Sequence, residues 1–194
     1  MNKNLEHYVL HKNNFLEESF CEKTIKELED NNGWAKHGWI TSDGQTYQAS
    51  GDNEPEIVNL ENFSSTLNET NNLIVEKLRS TILEYINSLK FEWFDRWSGY
   101  SEMKFIRYSE HQTMSNHCDH IHSLFDGKRR GIPTLSIIGI LNDDYEGGEL
   151  IMFEDKKIHT KAGDLLIFPS NFLYPHEITP VSKGVRYSYV SWVW

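Results

Sequence analysis

The sequence predicts a mainly β domain, either a sandwich or a closed barrel, with flanking helices in the first half of the chain. From residue 102 onward, short apolar segments alternate with turn-forming residues at close spacing, as is typical of antiparallel sandwiches and barrels. The first half contains two segments whose apolar residues recur with the 3.6-residue period of a helix. The length of 194 residues suits one domain, and no internal repeat divides it.

The first half is predicted to contain one short strand and two helices. Residues 8–10 have the composition of a strand, and residues 17–30 have that of a surface helix that stops at residues 31–33. Residues 62–90 form the most regular helix. Its apolar stripe is expected to be core and consists of Leu67, Leu73, Ile74, Leu78, Ile82, Leu83, Ile86 and Leu89. The aromatic residues that follow are predicted to pack beneath it: Phe91, Trp93, Phe94 and Trp97.

Residues 33–59 differ from both helices, because glycine and small polar residues alternate there with Trp34, Trp39 and Tyr47. A long segment without a regular pattern is uncommon in a compact domain and often carries function. Two interpretations fit equally well, a lid over a site or a pair of irregular edge strands.

The second half is predicted to be a series of short strands separated by turn signals. The predicted strands are residues 103–108, 134–141, 149–153, 157–160, 164–168 and 185–194. The continuous apolar run at 134–141 indicates a strand that is buried on both faces.

The composition excludes several classes of function. A formal net charge of -10 is poorly suited to binding nucleic acid or an anionic membrane through the overall field of the protein. Two cysteines give no disulfide framework and fit a reducing compartment. The first residues lack the apolar core of a signal peptide, and the longest apolar run, 135–141, is too short to span a membrane. We therefore expect a soluble, cytoplasmic protein.

The segment that carries the most chemistry is Asn-His-Cys-Asp-His-Ile-His at residues 116–122. If residues 117–119 are extended, His117 and Asp119 project to the same side and offer two adjacent ligands to a metal. His176 is the best candidate for a third ligand. Two histidines and one carboxylate that leave open positions are the ligand set of non-haem Fe(II) oxygenases. The competing interpretation is a zinc cluster in which His122 joins Asp119 and His120.

An anion-binding pattern follows His176. Arg186 opens the last predicted strand and shares a face with Ser188, because side chains alternate along a strand. The planar guanidinium fits a carboxylate through two hydrogen bonds, and a hydroxyl adds a further donor. A dicarboxylate that chelates the metal at one end can therefore meet Arg186 at the other end.

The remaining polar residues are given structural interpretations. Cys118 is predicted to point away from the metal as a small buried residue. Residues 126–131 form a basic loop, which is either a solvated hairpin or a rim that contacts substrate. The other histidines outside the motif are expected to be solvated: His7, His11, His37, His111 and His159.

Over residues 102–194, these motifs occur in an order that resembles the 2-oxoglutarate- and Fe(II)-dependent dioxygenases, specifically their prolyl-4-hydroxylase-like branch. The matching residues are Tyr108, His117-Cys118-Asp119, Leu141-Asn142, Gly147-Gly148-Glu149-Leu150, Phe153, residues 162–168, Pro175-His176-Glu177, Pro180-Val181, Gly184, Arg186-Tyr187 and Trp192. The chain departs from the family pattern at His111, where glycine is usual, at Ile140, where tyrosine is common, and at Leu150, where threonine is frequent.

The resemblance implies a double-stranded β-helix, a cupin-like jelly roll, covered by N-terminal helices. It implies one oxygenase domain over residues 1–194, with 1–101 as helical support and lid region and 102–194 as the core that holds the metal. It implies Fe(II), 2-oxoglutarate and O2, and it admits ascorbate as a further cofactor. The implied iron ligands are His117, Asp119 and His176. Arg186 is the implied partner of the distal 2-oxoglutarate carboxylate, with Tyr108 and Ser188 beside it.

The function that follows from the resemblance is hydroxylation of an unactivated C–H bond with release of succinate and CO2. A prolyl residue in a peptide or protein is the first expected substrate, and a free amino acid or small metabolite is the second. A halogenase is not expected, because Asp119 completes the ligand set. Two other classes are a non-catalytic β-barrel module that holds a structural metal, and a nucleic-acid demethylase, which the acidic composition disfavours.

Overall fold

The computed structural model describes residues 4–31, 33–40, 46–48, 52–59, 65–91, 99–119 and 133–194. After a 3-10 turn at Leu5–Tyr8, the elements in chain order are β1 (Leu10–Lys12), α1 (Glu18–Glu29), β2 (Ala35–Lys36), β3 (Gly38–Ile40), β4 (Thr46–Gln48), β5 (Glu56–Asn59), α2 (Ser65–Leu89), β6 (Lys104–Tyr108), β7 (Met114–His117), β8 (Leu135–Ile140), β9 (Glu146–Gly147), β10 (Leu150–Met152), β11 (Lys156–Ile158), β12 (Leu165–Pro169), β13 (His176–Ile178), β14 (Val181–Lys183) and β15 (Arg186–Val193).

Two antiparallel sheets form the body of the protein. The larger sheet has seven strands in the order β1-β12-β8-β15-β6-β5-β2, and the smaller has four in the order β11-β10-β13-β7. Short ribbons, β9 with β14 and β3 with β4, accompany them. The predicted mainly β fold with flanking helices is therefore confirmed. The described strands form two open sheets, so the sandwich interpretation holds and the closed barrel does not.

One hydrophobic core lies between the helices and the larger sheet. Leu28 of α1 and Leu78 of α2 are buried there against Phe105 and Tyr189 of the sheet. The predicted stripe of the second helix is wrong at two positions, since Leu73 is 54% exposed and Leu83 is 44% exposed. Both lie beside the face that contacts the sheet, which runs along α2 at steps of three or four residues.

A second core fills the space between the two sheets. It joins Ile138 and Leu166 of the larger sheet to Leu150 and Ile178 of the smaller one. All residues of β8 are buried, because helices cover one face of its sheet and the smaller sheet covers the other. This second core is the layer in which the polar cavity described below is embedded.

Residues 33–59 contribute strands where the structure describes them. β2 and β5 extend the edge of the larger sheet, and β3 and β4 form a separate ribbon. Residues 41–45 and 49–51 lie outside the described part, so the lid interpretation stays a prediction. Residues 8–10 were predicted to form a strand, but the strand begins only at Leu10 because the 3-10 turn extends to Tyr8.

Of the four aromatic residues predicted to pack beneath α2, only Phe91 lies in the described part, and its ring centroid is 6.0 Å from that of Tyr8. Within the described ranges, no helix combines the length and the apolar character that crossing a membrane requires.

Candidate metal centre

Three side chains that are distant in sequence meet between the sheets. His117 ends β7 and His176 begins β13, and the two residues are direct partners across these antiparallel strands. Their ring centroids are 4.5 Å apart. Asp119 Oδ1 lies 3.6 Å from His117 Nε2 and 3.9 Å from His176 Nε2. One ligand atom from each residue lies within 4.8 Å of the other two, a spacing that a single metal ion can bridge.

Backbone carbonyl groups orient both imidazole rings. Nδ1 of His117 is 2.8 Å from the carbonyl oxygen of Ser115, and Nδ1 of His176 is 3.2 Å from that of Tyr174. A carbonyl only accepts hydrogen bonds, so each Nδ1 carries the proton when the ring is neutral. The lone pair then lies on Nε2, the atom nearest Asp119, where it is available to a metal.

The charges of the three groups suit a divalent cation. Burial by itself disfavours the ionised Asp119, but the adjacent His117 and His176 outweigh it and hold the pKa of the carboxyl well below its usual range. Burial lowers the pKa of His176. Burial is the largest single influence on His117 and lowers its pKa, but the hydrogen bond to Asp119, the charge of Asp119 and the hydrogen bond to Ser115 together outweigh it and raise the pKa. Two imidazole nitrogens and one carboxylate oxygen, with room for further ligands, fit ferrous iron.

These residues line a cavity of about 220 Å³ between the sheets. Its floor is formed by alternate residues of two paired strands: Arg186, Ser188, Val190 and Trp192 from β15, and Lys104, Ile106 and Tyr108 from β6. We call this set the cavity row. In the register of the sheet, Arg186 lies opposite Tyr108, Ser188 opposite Ile106 and Val190 opposite Lys104. The three candidate metal ligands lie on the other side of the cavity, toward the smaller sheet.

Arg186 is the most unusual residue of the cavity row, because it is a cation with only 1% of its surface exposed. Its Nη1 donates a hydrogen bond to Ser188 Oγ at 2.9 Å, and its guanidinium carbon lies 5.2 Å from the ring centroid of Tyr108. Nε and Nη2 are buried and have no acceptor among the described residues. A buried charge with unpaired donors is costly unless a ligand completes it. A carboxylate fits this fork of N–H groups.

Tyr108 is held in its neutral form beside Arg186. Burial raises the pKa of its phenol to about 12, although the nearby guanidinium acts in the opposite direction. A neutral hydroxyl can donate a hydrogen bond to the same anion that Arg186 binds.

Two residues of the sequence motifs, Asn142 and Gly148, help to position Arg186. Asn142 fixes the start of β15, because its Nδ2 donates to Val185 O at 2.7 Å and its Oδ1 accepts from Tyr187 N at 2.7 Å. Gly148 has a φ of +58°, and a Cβ at this position would approach Arg186 Cδ to 3.2 Å. The glycine therefore permits both the turn and the close packing of the arginine stem.

The structure corrects two predictions about neighbouring residues. Cys118 was predicted to be buried away from the metal, but it is half-buried and lines the cavity. The chain leaves β7 at His117, so the strict alternation of a strand no longer applies to residue 118. His37 was predicted to be solvated, but it also lines the cavity, as part of the link between β2 and β3.

The three departures from the family pattern have structural explanations. His111 has a φ of +69°, the left-handed conformation that glycine adopts without strain, so its backbone keeps the glycine geometry. Ile140 and Leu150 are buried in the core between the sheets. His120, His122 and residues 126–131 lie outside the described part of the chain.

Sequence reasoning missed Lys104 and His37 as cavity residues. For Lys104 a signal was available, since it alternates with Ile106 and Tyr108 along one predicted strand and must share their face. No comparable signal exists for His37, because its position depends on a loop.

Comparison with known proteins agrees with this architecture. Residues 103–194 match the family model of the 2OG-Fe(II) oxygenase superfamily. A PKHD-type hydroxylase from Alteromonas mediterranea is 35% identical over 96 residues, which cover 46% of this chain and 41% of that protein. The chain thus aligns with less than half the length of this curated relative.

Two solved structures show the same fold at low sequence identity. One is a Trichoplax adhaerens prolyl hydroxylase in complex with a hypoxia inducible factor peptide fragment, with a TM-score of 0.70, 17% identity, and coverage of 96% of this chain and 83% of that one. The other is a Pseudomonas putida prolyl-4-hydroxylase, with a TM-score of 0.69, 17% identity, and coverage of 95% and 91%. The two-sheet sandwich is therefore the double-stranded β-helix that the sequence predicted.

Proposed function

Residues 103–194 belong to the 2OG-Fe(II) oxygenase superfamily, and from this premise we propose that the chain is a hydroxylase dependent on Fe(II), 2-oxoglutarate and O2. The observation that supports it most strongly is the presence of two complementary features in one cavity. A cluster of two histidines and a carboxylate lies above a buried arginine, two of whose donors have no acceptor within the described ranges. A dicarboxylate co-substrate that chelates a metal needs both features at once.

His117, Asp119 and His176 would hold the iron through Nε2, a carboxylate oxygen and Nε2. When bound, iron with 2-oxoglutarate and O2 supplies the oxidation that converts a C–H bond into C–OH, with release of succinate and CO2. The distal carboxylate of 2-oxoglutarate would pair with the guanidinium of Arg186. Ser188 and Tyr108 would orient that pair, Ser188 through its contact with Nη1 and Tyr108 through its neutral hydroxyl.

The protein's own contribution is orientation and exclusion of water. The carbonyls of Ser115 and Tyr174 fix the ligand rings, so little reorganisation is needed when the metal binds. Burial of Arg186 and His176 strengthens their electrostatic contacts, because few water molecules remain to screen them. The substrate must then approach from the less buried side of the cavity.

We infer a prolyl residue in a peptide or protein as the first substrate to test. The support is that the similar proteins are described as PKHD-type and prolyl hydroxylases, one of them in complex with a peptide fragment. A free amino acid is the competing substrate, because the cavity could hold either a free amino acid or one residue of a peptide.

The test is turnover with Fe(II), 2-oxoglutarate and ascorbate, first without substrate, then with proline-containing peptides or free proline. Succinate should form in every case, and one substrate class should gain the mass of one oxygen. His176→Ala should abolish succinate formation, and the matched control His159→Ala, at an exposed site outside the cavity, should not. Absence of succinate under all conditions would contradict the proposal and favour a non-catalytic metal-holding module.

A further inference from the structure

Asp119 is held differently from the two histidines of the metal cluster. His117 and His176 belong to paired strands of the smaller sheet, and backbone carbonyls orient their rings. Asp119 lies two residues beyond the end of β7, outside the described strands, so strand pairing does not fix its carboxylate. Because a metal needs its ligands in a defined geometry, contacts from other elements must orient this side chain.

Strand β8 carries a single polar side chain within an apolar sequence, that of Ser136. Because side chains alternate along a strand, Ser136 shares the face of Ile138, which lines the cavity. In the register of the larger sheet, Ser136 lies opposite Phe168 on one side and Trp192 on the other. Ser136 therefore belongs to the inner face of the larger sheet, which faces the smaller sheet.

The hydroxyl of Ser136 is buried beside the carboxylate of Asp119. Ser136 is 0% exposed, and its Oγ reaches no partner at full hydrogen-bonding geometry among the described residues. The group that it influences is Asp119: burial raises the pKa of this carboxyl, whereas the two histidine neighbours and the serine hydroxyl lower it. A hydroxyl that favours the ionised form acts as a donor towards the carboxylate.

A second buried serine contacts the backbone of Asp119. Ser170 is 3% exposed, and its Oγ donates to the carbonyl oxygen of Asp119 at 3.5 Å. The backbone N–H of Ser170 donates to Thr134 O at 3.0 Å, which anchors this serine beside the start of β8. Ser136 and Ser170 thus reach the same residue from neighbouring parts of the larger sheet, one at the side chain and one at the main chain.

The residue next to Ser136 in the sheet supports a different ligand. The ring of Phe168 lies edge-on to that of His176, with the two centroids 5.3 Å apart. Phe168 and Ser136 are direct partners across β12 and β8. The inner face of the larger sheet therefore presents an apolar ring to a histidine of the cluster and a hydroxyl to its carboxylate.

Building on the proposed function, we propose that Ser136 is a positioning residue that orients the carboxylate of Asp119 for the metal. Its hydroxyl donates to the carboxylate while Oδ1 faces the Nε2 atoms of the two histidines. Ser170 holds the main chain of the same residue. A carboxylate that is already oriented needs less reorganisation when the metal binds, so this contact contributes to metal affinity rather than to the stability of the fold.

The test separates metal affinity from folding. Co(II), which binds to the same kinds of nitrogen and oxygen ligands as Fe(II), is titrated by calorimetry into the metal-stripped protein without 2-oxoglutarate. Ser136→Ala should weaken Co(II) binding about tenfold, as is typical when an outer contact of a metal ligand is lost. The same variant should keep the wild-type free energy of unfolding in urea without metal, because the hydroxyl has no full hydrogen bond to lose.

Ser191→Ala is the matched control, with the opposite expected pattern. Ser191 is also 0% exposed, and its Oγ donates to Ser101 O at 2.7 Å. Alternation along β15 places Ser191 on the face away from the cavity. Its loss should lower the free energy of unfolding and leave the Co(II) affinity unchanged.

An unchanged Co(II) affinity in Ser136→Ala overturns this inference, and a simultaneous loss of stability would assign Ser136 to packing alone. An equal loss of Co(II) affinity in Ser191→Ala also overturns it, because the effect would then reflect general damage to the sheet. Failure of the proposed function is a separate result, since it appears as absence of succinate formation in the wild-type protein whatever the ratio of Co(II) affinities.

Discussion

The two ends of the cavity are built in different ways. The closed end consists of Arg186, Ser188 and Tyr108, all buried and all on two neighbouring strands of one sheet. The open end consists of Lys104, Trp192 and His37, and His37 comes from outside the segment that matches the superfamily. A rigid sheet holds the closed end in a fixed geometry, which suits one invariant co-substrate. The open end depends on less buried side chains and on the loop between β2 and β3, and loops held by a sheet often carry binding residues.

The two ends also differ in electrostatic cost. Arg186 carries two buried donors that have no acceptor among the described residues, so its buried charge is costly unless an anion binds beside it. Lys104 is half-buried and keeps contact with solvent. Its charge is therefore less costly to bury than that of Arg186, and it attracts an anion less strongly. Mutations at the closed end should therefore have larger effects than mutations at the open end.

The largest effect is expected for His176→Ala, because this change removes a candidate metal ligand on which the chemistry at both ends of the cavity depends. Removal of this ligand should lower iron affinity by more than the roughly 10- to 100-fold that is typical when an outer contact of a metal ligand is lost. Iron titration and succinate formation measure the effect. Asp119→Ala should behave alike, and retention of full iron affinity in either variant would exclude this metal centre.

At the closed end, Arg186→Met should raise the KM for 2-oxoglutarate by about a hundredfold, because the distal carboxylate loses a buried ionic partner. The same variant should stabilise the ligand-free protein by about 1 kcal/mol or more, since the unpaired buried charge is removed. Urea unfolding without cofactors measures the second effect. Arg107→Met is the matched contrast: Arg107 contacts Glu29 and Glu56, so its loss should destabilise the protein.

A smaller effect at the same end is expected for Ser188→Ala. The variant leaves Nη1 of Arg186 without its acceptor and removes a hydroxyl next to the co-substrate. The KM for 2-oxoglutarate should rise about tenfold, in line with the loss of one hydrogen bond to a charged group. Iron binding, measured by titration, should stay at the wild-type value. An equally large loss of iron affinity would show that Ser188 acts on the metal cluster instead.

At the open end, the expected effect is a pH dependence of stability caused by His37. Its pKa is about 4 in the folded protein, below the ordinary value of 6.5, so the unfolded chain binds more protons between these values. The free energy of unfolding should therefore fall as the pH drops from about 6.5 towards 4. His37→Gln should flatten this slope in urea unfolding at several pH values, and the same substitution at the exposed His159 is the matched control. Identical slopes for wild type and His37→Gln would show that His37 titrates normally.

Much of the closed end could be predicted from the sequence, because its geometry depends on residues that are neighbours along one strand. Alternation along a strand places Arg186 and Ser188 on one face, and it orients His117 within β7 in the same way. The strands at 134–141, 164–168 and 185–194 were found within one or two residues, since their apolar runs are long and bounded by turn signals. Short strands such as β9 and β13 were missed, because two or three residues carry too little pattern.

The sequence alone determined which residues can bind a metal and an anion, and which of them share the face of a strand. These properties depend on chemical type and on the two-residue period of the chain, and both are local. Only the tertiary structure decided that His176 lies opposite His117, that Tyr108 lies opposite Arg186, and that His37 and Cys118 line the same cavity. Strand register and loop path depend on how two sheets bury their apolar faces together, and that is a property of contacts between distant segments.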